Sequence, residues 1–341
     1  MNIAQKINVF VQLGDSINKF SEEQKGALGQ MIKLKNEWFT RENLDLTLQG
    51  LQQYLNRENL EKWLGKYPSL FAKEAVTPKK VGIVMAGNIP AVGFHDLLSV
   101  VMSGHILHAK LSSQDQVLMQ ELIRMLIEIA PELKEQIVIT EKLKDIEALI
   151  ATGSDNSARY FEAYFGHLPH IIRKNRSSVA VLDGKETKEE LSLLSNDIFQ
   201  YFGLGCRNVS KLFVPQEYKF DTFFENIFPW GETLLMHSKY CNNYEYYRAL
   251  FLMKKMFVLD NNFLILAEYD SMDSPVGVMF FERYTDEADL KQKLAQHQDK
   301  IQVVVSKPGL VNDSVGFGNA QTPHLWDYAD GVDTMAFLTR L

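Results

Sequence analysis

The first 75 residues carry apolar side chains at the three- and four-residue intervals typical of amphipathic helices. Two sets of apolar residues show this spacing: Ile3, Ile7, Phe10, Ile17 and Phe20, and then Leu44, Leu48, Leu51 and Leu55. A proline and two lysines within residues 77–80 then interrupt the pattern. The sequence therefore predicts a helical N-terminal part over residues 1–75.

From Val81 onwards, short apolar runs alternate with longer amphipathic segments. The predicted strands are VGIVMAG, HILHAKL, QIVIT, residues 146–152 and SVAVLDG, and the clearest predicted helices are residues 91–103 and 116–129. Strands that alternate with helices favour a parallel sheet with helices on both faces. The pattern therefore predicts an α/β domain over residues 76–185.

A second segment of the same character begins near Lys185. It contains a predicted helix over residues 187–202, the strand KLFVP, helical material to about residue 257, and the strands FLILA, VGVMFF and IQVVVS. We therefore predict a second α/β domain over residues 186–305. The remaining residues, 306–341, are expected to form a tail that returns to the body of the protein or to a partner subunit.

Composition narrows the class of protein. The chain has 341 residues, 46% of them hydrophobic, and its 36 basic and 43 acidic side chains give a net charge of −7. A mildly acidic chain lacks the overall positive charge of a nucleic-acid-binding protein, and its apolar runs are far shorter than the ~20 residues of a membrane span. Polar residues interrupt the N-terminal apolar pattern, so no signal peptide is expected. We expect no nucleic-acid partner and no stable membrane insertion.

The cysteines and histidines argue against two further kinds of site. Only two cysteines occur, Cys206 and Cys241, which favours a reducing, cytoplasmic compartment over a disulfide framework. Two pairs of histidines lie three residues apart, His105 with His108 and His167 with His170. No other metal-ligand spacing accompanies them, so structural or solvated histidines are the favoured interpretation and no metal site is predicted.

The segment Gly203-Leu204-Gly205-Cys206-Arg207-Asn208 is a candidate for nucleophilic chemistry. Its glycines let the backbone approach a ligand closely or adopt unusual dihedral angles, and the adjacent Arg207 favours the nucleophilic thiolate of Cys206. A buried cysteine that acts as a small hydrophobic side chain is the alternative, which the local sequence alone slightly favours. Cys241, in KYCNNY, has no glycine neighbours, and there the same alternative is much better supported.

Three further candidate positions follow predicted strands. Asn88, in GNIP, lies where open α/β sheets bind ligands, so its amide would donate to a developing oxyanion; capping of the next helix is an equally good interpretation. Gly153 and Ser154 open a predicted helix whose free N–H groups would meet a phosphate, although a plain capping turn is favoured. Lys110, at the end of HILHAK, would bind a ribose or phosphate, and its alternative is a solvated charge.

The order of these residues resembles that of the aldehyde dehydrogenase superfamily. Asn88 in GNIP, Lys110 in HAKLSS, Gly153-Ser154 in TGSDNSAR and Cys206 in GLGC follow one another as the motifs of that superfamily do. The resemblance implies a Rossmann-like cofactor domain over residues 76–185 and a catalytic domain, with Cys206 as nucleophile, over residues 186–305. It also implies that Asn88 helps form the oxyanion hole, that Lys110 binds the adenine ribose, and that Gly153-Ser154 lies beside the nicotinamide.

A narrower resemblance is to the LuxC-type long-chain acyl-CoA (fatty acid) reductases. It is carried by GNIPAVGFHDLLSVVMSGHILHAKLSSQD, HIIRKNRSSVAVLDG and PHLWDYADGVDTMAFL, and it covers the chain from about residue 60. This resemblance implies NADPH-dependent reduction of a fatty acyl-CoA thioester to an aldehyde through an acyl-enzyme on Cys206, with coenzyme A as the leaving group. The superfamily further implies a homo-oligomer, either a dimer or a tetramer.

Two stretches differ from ordinary aldehyde dehydrogenases. Their ELGGK motif supplies the carboxylate that activates water, whereas residues 171–175 here read IIRKN. NAD-dependent members often place a Glu three residues after the ribose-binding Lys, and Ser113 stands there in this chain, which favours NADPH. One alternative is an aldehyde-oxidising dehydrogenase or an acyl-phosphate reductase, and the missing carboxylate argues against it. The other alternative is a non-catalytic relative that binds an acyl carrier or a partner subunit, and the four retained motifs argue against that one.

Overall fold

A computed structural model of the protein describes residues 1–71 and 77–341. The predicted boundary between residues 75 and 76 lies outside the described residues. The chain divides into two compact units, unit 1 with Met1–Asn175 and His324–Leu341, and unit 2 with Arg176–Pro323. Each unit contains its own sheet, and each is described by itself below.

Residues 1–71 form four helices and a final turn. These elements are α1 (Ile3–Asn18), α2 (Glu22–Lys35), α3 (Arg41–Tyr54), α4 (Arg57–Leu64) and a 3₁₀ turn over Pro68–Phe71. Each helix begins after an Asn, Ser or Thr whose side chain accepts a hydrogen bond from a backbone N–H of the first turn. Phe10, Leu44 and Trp63 are fully buried. The helical spacing of the sequence therefore marks the faces that pack into the core of unit 1.

Unit 1 is built around a five-stranded parallel sheet in the order β3-β2-β1-β4-β5. Its strands are β1 (Lys80–Val84), β2 (Ile106–Lys110), β3 (Ile137–Ile139), β4 (Ala148–Thr152) and β5 (His170–Arg173). The connections contain α5 (Phe94–Ser103), α6 (Gln116–Ile129), a 3₁₀ turn over Pro131–Glu135, and α7 (Asp155–Phe165). Since β2 and β4 lie on opposite sides of β1, the strand order reverses between β1 and β4, which is where such sheets bind ligands at their carboxyl edge.

Unit 2 contains a six-stranded sheet in the order β11-β6-β7-β10-β9-β8, parallel except for β8 against β9. Its strands are β6 (Ser177–Val181), β7 (Val209–Pro215), β8 (Val258–Asp260), β9 (Ile265–Glu268), β10 (Val278–Tyr284) and β11 (Ile301–Val305). Its helices are α8 (Lys188–Phe199), α9 (Asp221–Ile227), α10 (Trp230–Leu235), α11 (Ser238–Met253) and α12 (Glu287–Gln296), and an irregular turn over Gln200–Gly203 follows α8. The predicted α/β fold class, with two mainly parallel sheets, is confirmed.

One strand belongs to a different sheet from the one its place in the sequence suggested. The run SVAVLDG falls within the predicted domain of residues 76–185, but β6 pairs with β7 and β11 of unit 2. The chain consequently divides at residues 175/176 instead of 185/186. Apolar periodicity shows that a strand is buried, whereas its sheet is set by pairing with strands distant in sequence.

The C-terminal residues 324–341 return to unit 1. A short helix, α13 (Thr334–Leu338), packs against α5, and Met335 is buried. The hydroxyl of Tyr328 accepts a hydrogen bond from Trp63 Nε1 at 2.6 Å, and the hydroxyl of Tyr67 donates to Asp333 Oδ2 at 2.8 Å. These bonds tie the tail to the N-terminal helical part of the same unit.

Candidate active site

The five predicted site residues of unit 1 lie at one edge of its sheet. Asn88 follows β1, Lys110 ends β2 and is followed by Ser113, and the Gly153-Ser154 pair follows β4. Val84 is in register with Lys110 on one side and with Ala151 on the other. Because the strands are parallel, the loops after all three leave from the same carboxyl edge. The fold therefore brings these residues together.

The capping interpretation of Asn88 is wrong. Helix α5 begins at Phe94 after Gly93, three residues later than the predicted start at Ala91, and Gly93 makes no side-chain cap bond. Asn88 instead lies in the middle of the connection between β1 and α5, with its side chain exposed. Its amide is thus placed at the sheet edge by the loop and has no part in starting the helix.

Ser154 does cap its helix. Its hydroxyl accepts a hydrogen bond from the backbone N–H of Ser157 at 3.3 Å at the start of α7. A Cβ at Gly153 would lie 2.9 Å from the Cβ of Ser157, so the close approach of this turn to α7 requires glycine. The predicted capping turn is therefore present, and it presents the N-terminus of α7 at the same edge as Lys110.

These groups fit a phosphorylated dinucleotide by their chemistry. Lys110 is an exposed cation, Ser113 is an exposed hydroxyl, and the N-terminus of α7 carries the partial positive charge that favours anions. All are donors toward phosphate or ribose oxygens, and they stand at the edge where the strand order reverses.

The stretch that replaces ELGGK contains an arginine that forms a buried ion pair. The Arg173 guanidinium donates to Asp96 Oδ2 at 2.7 Å and to Thr334 Oγ1 at 2.8 Å, and all three residues are buried. The adjacent Lys174 pairs with Glu162 at the surface. Arg173 thus anchors β5 to α5 and to the C-terminal helix, and the Asp96 carboxylate is engaged by a cation.

His170 lies at the opposite end of the same strands, the amino edge of the sheet. It is the first residue of β5 and is in register with Leu149 near the start of β4, whereas Ser154 follows the end of β4. Its Nδ1 is 2.8 Å from the carbonyl oxygen of Leu168. This position argues against His170 as the general base of a site at the carboxyl edge.

In unit 2, Cys206 lies on an exposed turn between α8 and β7. Its carbonyl oxygen accepts a hydrogen bond from Ser178 Oγ at 3.0 Å, which fixes the turn to β6. The interpretation of Cys206 as a buried hydrophobic side chain is therefore wrong. Cys241 is half-buried on α11, where its thiol donates to the carbonyl oxygen of Leu235 at 3.0 Å.

The backbone just before Cys206 is in the left-handed region for three residues in succession. Tyr201, Phe202 and Gly203 have φ values of 52°, 57° and 75°. Only glycine adopts this region without steric cost, and other residues are disfavoured there by roughly 1–2 kcal/mol each. The Phe202 ring packs on His237 with centroids 4.4 Å apart and on Tyr240 with centroids 6.4 Å apart, which holds the strained turn in place.

Asn208 braces the same turn from inside, a role that the sequence interpretation missed. Its buried side-chain Nδ2 donates to the carbonyl oxygens of Asp197, Ile198 and Gln200, and its Oδ1 accepts from the N–H of Gly205 at 2.8 Å. One amide thus links the backbone before the loop that carries Cys206 to the backbone within that loop. The available signal was an Asn directly after a glycine-rich turn, a residue type suited to bonding nearby backbone groups.

Metal binding and membrane insertion are two further properties on which the described residues bear. Among residues 1–71 and 77–341, no group of three or more His, Cys, Asp and Glu side chains is placed to hold a metal ion. Over the same ranges, no helix has the length and apolar character needed to cross a membrane.

Solved structures define the class of fold. An aldehyde dehydrogenase from Burkholderia cenocepacia matches 90% of this chain over 74% of its own, with a TM-score of 0.66 and 13% identity. The NAD⁺ complex of an aldehyde dehydrogenase from Bacillus cereus matches 90% over 72%, with a TM-score of 0.62 and 13% identity. A betaine aldehyde dehydrogenase from Staphylococcus aureus, also with NAD⁺, gives a TM-score of 0.63 at 12% identity, covering 90% and 72%. The predicted aldehyde dehydrogenase-like fold is confirmed.

The family follows from the sequence. The model of the acyl-CoA reductase (LuxC) family matches residues 14–223. This chain therefore belongs to the LuxC acyl-CoA reductases, enzymes of the oxidoreductase class, as its motifs predict. No curated protein matches it.

Proposed function

We propose that this protein reduces a long-chain acyl-CoA thioester to a fatty aldehyde with NADPH, through an acyl-enzyme on Cys206. The observation that carries the proposal is the exposed thiol on a strained, internally braced turn within a chain of the LuxC family. Held turns of this kind are typical of sites that position a reactive group.

In the proposed mechanism, the Cys206 thiolate attacks the thioester carbonyl carbon and coenzyme A leaves as its thiolate. The new carbon–sulfur bond to Cys206 replaces the one to coenzyme A, so this exchange needs no oxidant. The backbone N–H of Cys206 and the amide of Asn88, a role taken from the superfamily resemblance, donate to the oxyanion that develops.

Lys110, Ser113, Gly153 and Ser154 are the proposed cofactor residues. Lys110 would bind the adenine ribose and attract a 2′-phosphate, to which the hydroxyl of Ser113 would donate a hydrogen bond. The N–H groups at the start of α7 suit an anionic group. When bound, NADPH supplies the hydride that converts the acyl thioester to the aldehyde, which leaves Cys206 free for the next cycle.

Apolar side chains beside the cysteine turn support a long acyl chain as substrate. His237, which packs on Phe202, directly follows Leu235 and Met236, whose exposed fractions are 45% and 85%. Covering apolar surface of this size with a hydrocarbon chain is favourable by about 25 cal/mol per Å². A screen of acyl-CoAs of graded length with NADPH reports the chain preference, and a preference for acetyl-CoA would contradict this part of the proposal.

The test of the nucleophile compares the two cysteines. Incubation with acyl-CoA in the absence of NADPH should give a mass adduct of one acyl group on the wild type and on Cys241→Ser. The Cys206→Ser variant should give no adduct and no turnover, because a serine hydroxyl is a far weaker nucleophile than a thiolate. A full adduct on Cys206→Ser would remove Cys206 as the nucleophile.

Two further parts of the proposal concern assembly and location. The superfamily resemblance supports a homo-oligomer, dimer or tetramer, which light scattering coupled to size-exclusion chromatography measures. The low cysteine content, with both thiols outside any disulfide in the described chain, supports a cytoplasmic location.

A further inference from the structure

Asp115 occupies a helix N-cap position without capping the helix. It immediately precedes α6, where an Asp side chain ordinarily accepts a hydrogen bond from the first turn. Its side chain makes no such bond here, and the residue is only 3% exposed. The carboxyl group has instead been turned inward, away from both the helix and water.

The buried side chain of Asp115 packs against the loop that carries Asn88. A Cβ at Gly87 would collide with Ser112 and would lie 3.4 Å from the Cβ of Asp115. On the other side of Asn88, the backbone N–H of Ala91 is close enough to the carboxyl group to favour its ionised form. Ala91 has a φ of 54°, so the loop turns through a strained residue at this contact. Asp115 therefore lies next to the loop on both sides of Asn88.

The surroundings of Asp115 favour a neutral carboxylic acid. Neither carboxyl oxygen is in hydrogen-bond geometry with any residue that the structure describes, so the Ala91 N–H acts on the carboxyl group only as a nearby dipole. Burial raises the pKa of Asp115 to about 8, and this effect outweighs the opposing one of the Ala91 N–H. At neutral pH most molecules thus hold Asp115 protonated.

The charged groups around Asp115 do not offset the cost of its burial. Residues 85–93 of the loop and 111–119 of the turn and helix contain no ionisable side chain besides Asp115 itself. The nearest cation along the chain, Lys110, is exposed. Just after the end of α2, the amide of Asn36 donates to Oε1 of Gln114, the residue before Asp115, and Lys35 and Glu37 on either side of Asn36 are exposed.

We propose that Asp115 is a positioning residue for Asn88, with its buried carboxyl group wedged between α6 and the loop of residues 87–91. The inference rests on the proposed role of Asn88 as an oxyanion donor. An ionised carboxylate without partners is costly to bury, and that cost is relieved when the loop moves and admits water. Because the loop carries Asn88, its movement lowers kcat and leaves KM nearly unchanged.

A first experiment tests the buried acid without any assay of activity. Between the unfolded pKa near 4 and the folded pKa near 8, the native state holds a proton that the unfolded state has lost, so stability falls as pH rises. The Tm of Asp115→Asn should therefore exceed that of the wild type by a margin that widens up to about pH 8. Hydrogen exchange of residues 87–91 should become faster in the wild type than in Asp115→Asn above that pH.

The matched control is Asp286→Asn. Asp286 is an exposed N-cap residue of α12 whose side chain does accept a bond, from the N–H of Asp289 at 2.9 Å. This variant should show no widening of the Tm difference and no change in exchange at residues 87–91. A Tm difference for Asp115→Asn that is constant with pH, or exchange that matches the wild type at pH 9, would overturn the inference.

A second experiment tests the link to Asn88. If only the neutral acid holds the loop, kcat follows the fraction of molecules with Asp115 protonated. With a pKa near 8 this fraction, and therefore kcat, falls about tenfold between pH 7 and pH 9. Asp115→Asn should lack this part of the decrease, and in an Asn88→Ala background the same change should have no further effect on the profile. Identical profiles for the wild type and Asp115→Asn would overturn the positioning role. Failure of the proposed function, seen as no turnover of any acyl-CoA, would leave the stability and exchange results as the test of the buried acid.

Discussion

Asn88 presents a neutral amide at the carboxyl edge of the unit 1 sheet, and in the proposed mechanism this amide donates a hydrogen bond to the oxyanion. Loss of one oxyanion donor typically lowers kcat by about 10²–10³. We expect this loss in Asn88→Ala, with cofactor affinity close to that of the wild type and without the loss of a helix cap, because Asn88 caps no helix. Stopped-flow or steady-state rates, together with NADPH titration by fluorescence, provide the measurement.

The control for Asn88 is Ser154→Ala, which removes a real helix cap. A lost cap typically costs about 1 kcal/mol, so this variant should be less stable than Asn88→Ala. If Asn88→Ala kept a kcat within a few-fold of the wild type, Asn88 would have no part in stabilising the oxyanion.

Ser113 is the residue at which cofactor preference should be decided. A Glu at this exposed position would repel a 2′-phosphate and accept hydrogen bonds from a 2′-hydroxyl instead. Ser113→Glu should therefore shift the ratio of kcat/KM values from NADPH toward NADH, and direct binding of the two cofactors should shift likewise. Ser113→Ala serves as the control, since it removes the hydroxyl without adding charge. Equal kcat/KM for both cofactors in the wild type would contradict the NADPH assignment.

Asn88 and Ser154 also show what a sequence can decide about single residues. Both follow a predicted strand, and both residue types are good helix caps. Ser154 caps its helix and Asn88 does not, because α5 starts at Phe94 after a connection that turns through a left-handed Ala91. A motif therefore locates the loop, whereas the role of each side chain depends on backbone angles that apolar periodicity does not report.

At the scale of elements, the turn between α8 and β7 depends on Asn208. The sequence predicted a helix over residues 187–202, but α8 ends at Phe199, and after Gln200 three residues in the left-handed region follow. Their conformation is held by hydrogen bonds from one buried amide, a tertiary feature that helical periodicity does not encode. The glycine-rich motif correctly placed a special backbone here, and it did not reveal which side chain stabilises it.

Asn208→Ala should weaken this turn. The two N–H protons of the Asn208 amide are shared among three carbonyl oxygens, and Oδ1 accepts one further bond. Counted as three hydrogen bonds at roughly 0.5–1.5 kcal/mol each, they amount to about 1.5–4.5 kcal/mol, which denaturant unfolding of the variant should report. Acyl-adduct formation on Cys206 should slow at the same time, since the thiol is no longer held in one place. Asn226→Ala is the matched control, because its amide donates to the carbonyl oxygen of Thr222 within α9. An adduct rate unaffected by Asn208→Ala would show that the brace serves stability alone.

At the scale of the whole molecule, the order of motifs proved more informative than any single residue. Asn88, Lys110, Ser154 and Cys206 each had a plain structural alternative, yet their sequence order predicted a fold that solved structures confirm at 12–13% identity. Sheet membership was less predictable, since β6 follows directly on β5 in sequence but pairs in unit 2. The order of motifs along the chain thus predicts which fold the protein has, whereas the pairing of strands distant in sequence determines where one unit ends.

For the proposed acyl-CoA reduction, the end of β5 leads us to expect a preferred direction. An acyl-enzyme is hydrolysed only if a base activates water, and here Arg173 is buried in an ion pair with Asp96 while His170 lies at the opposite edge of the sheet. The acyl-enzyme should therefore persist until hydride or a thiol reaches it. With long-chain aldehyde and NADP⁺, absorbance at the reduced-cofactor band should rise slowly, and it should rise much faster once coenzyme A is added as acceptor. His170→Ala should leave both rates unchanged. Rapid release of free acid without coenzyme A would instead show that water is activated by a base, and a loss of that activity in His170→Ala would identify the base.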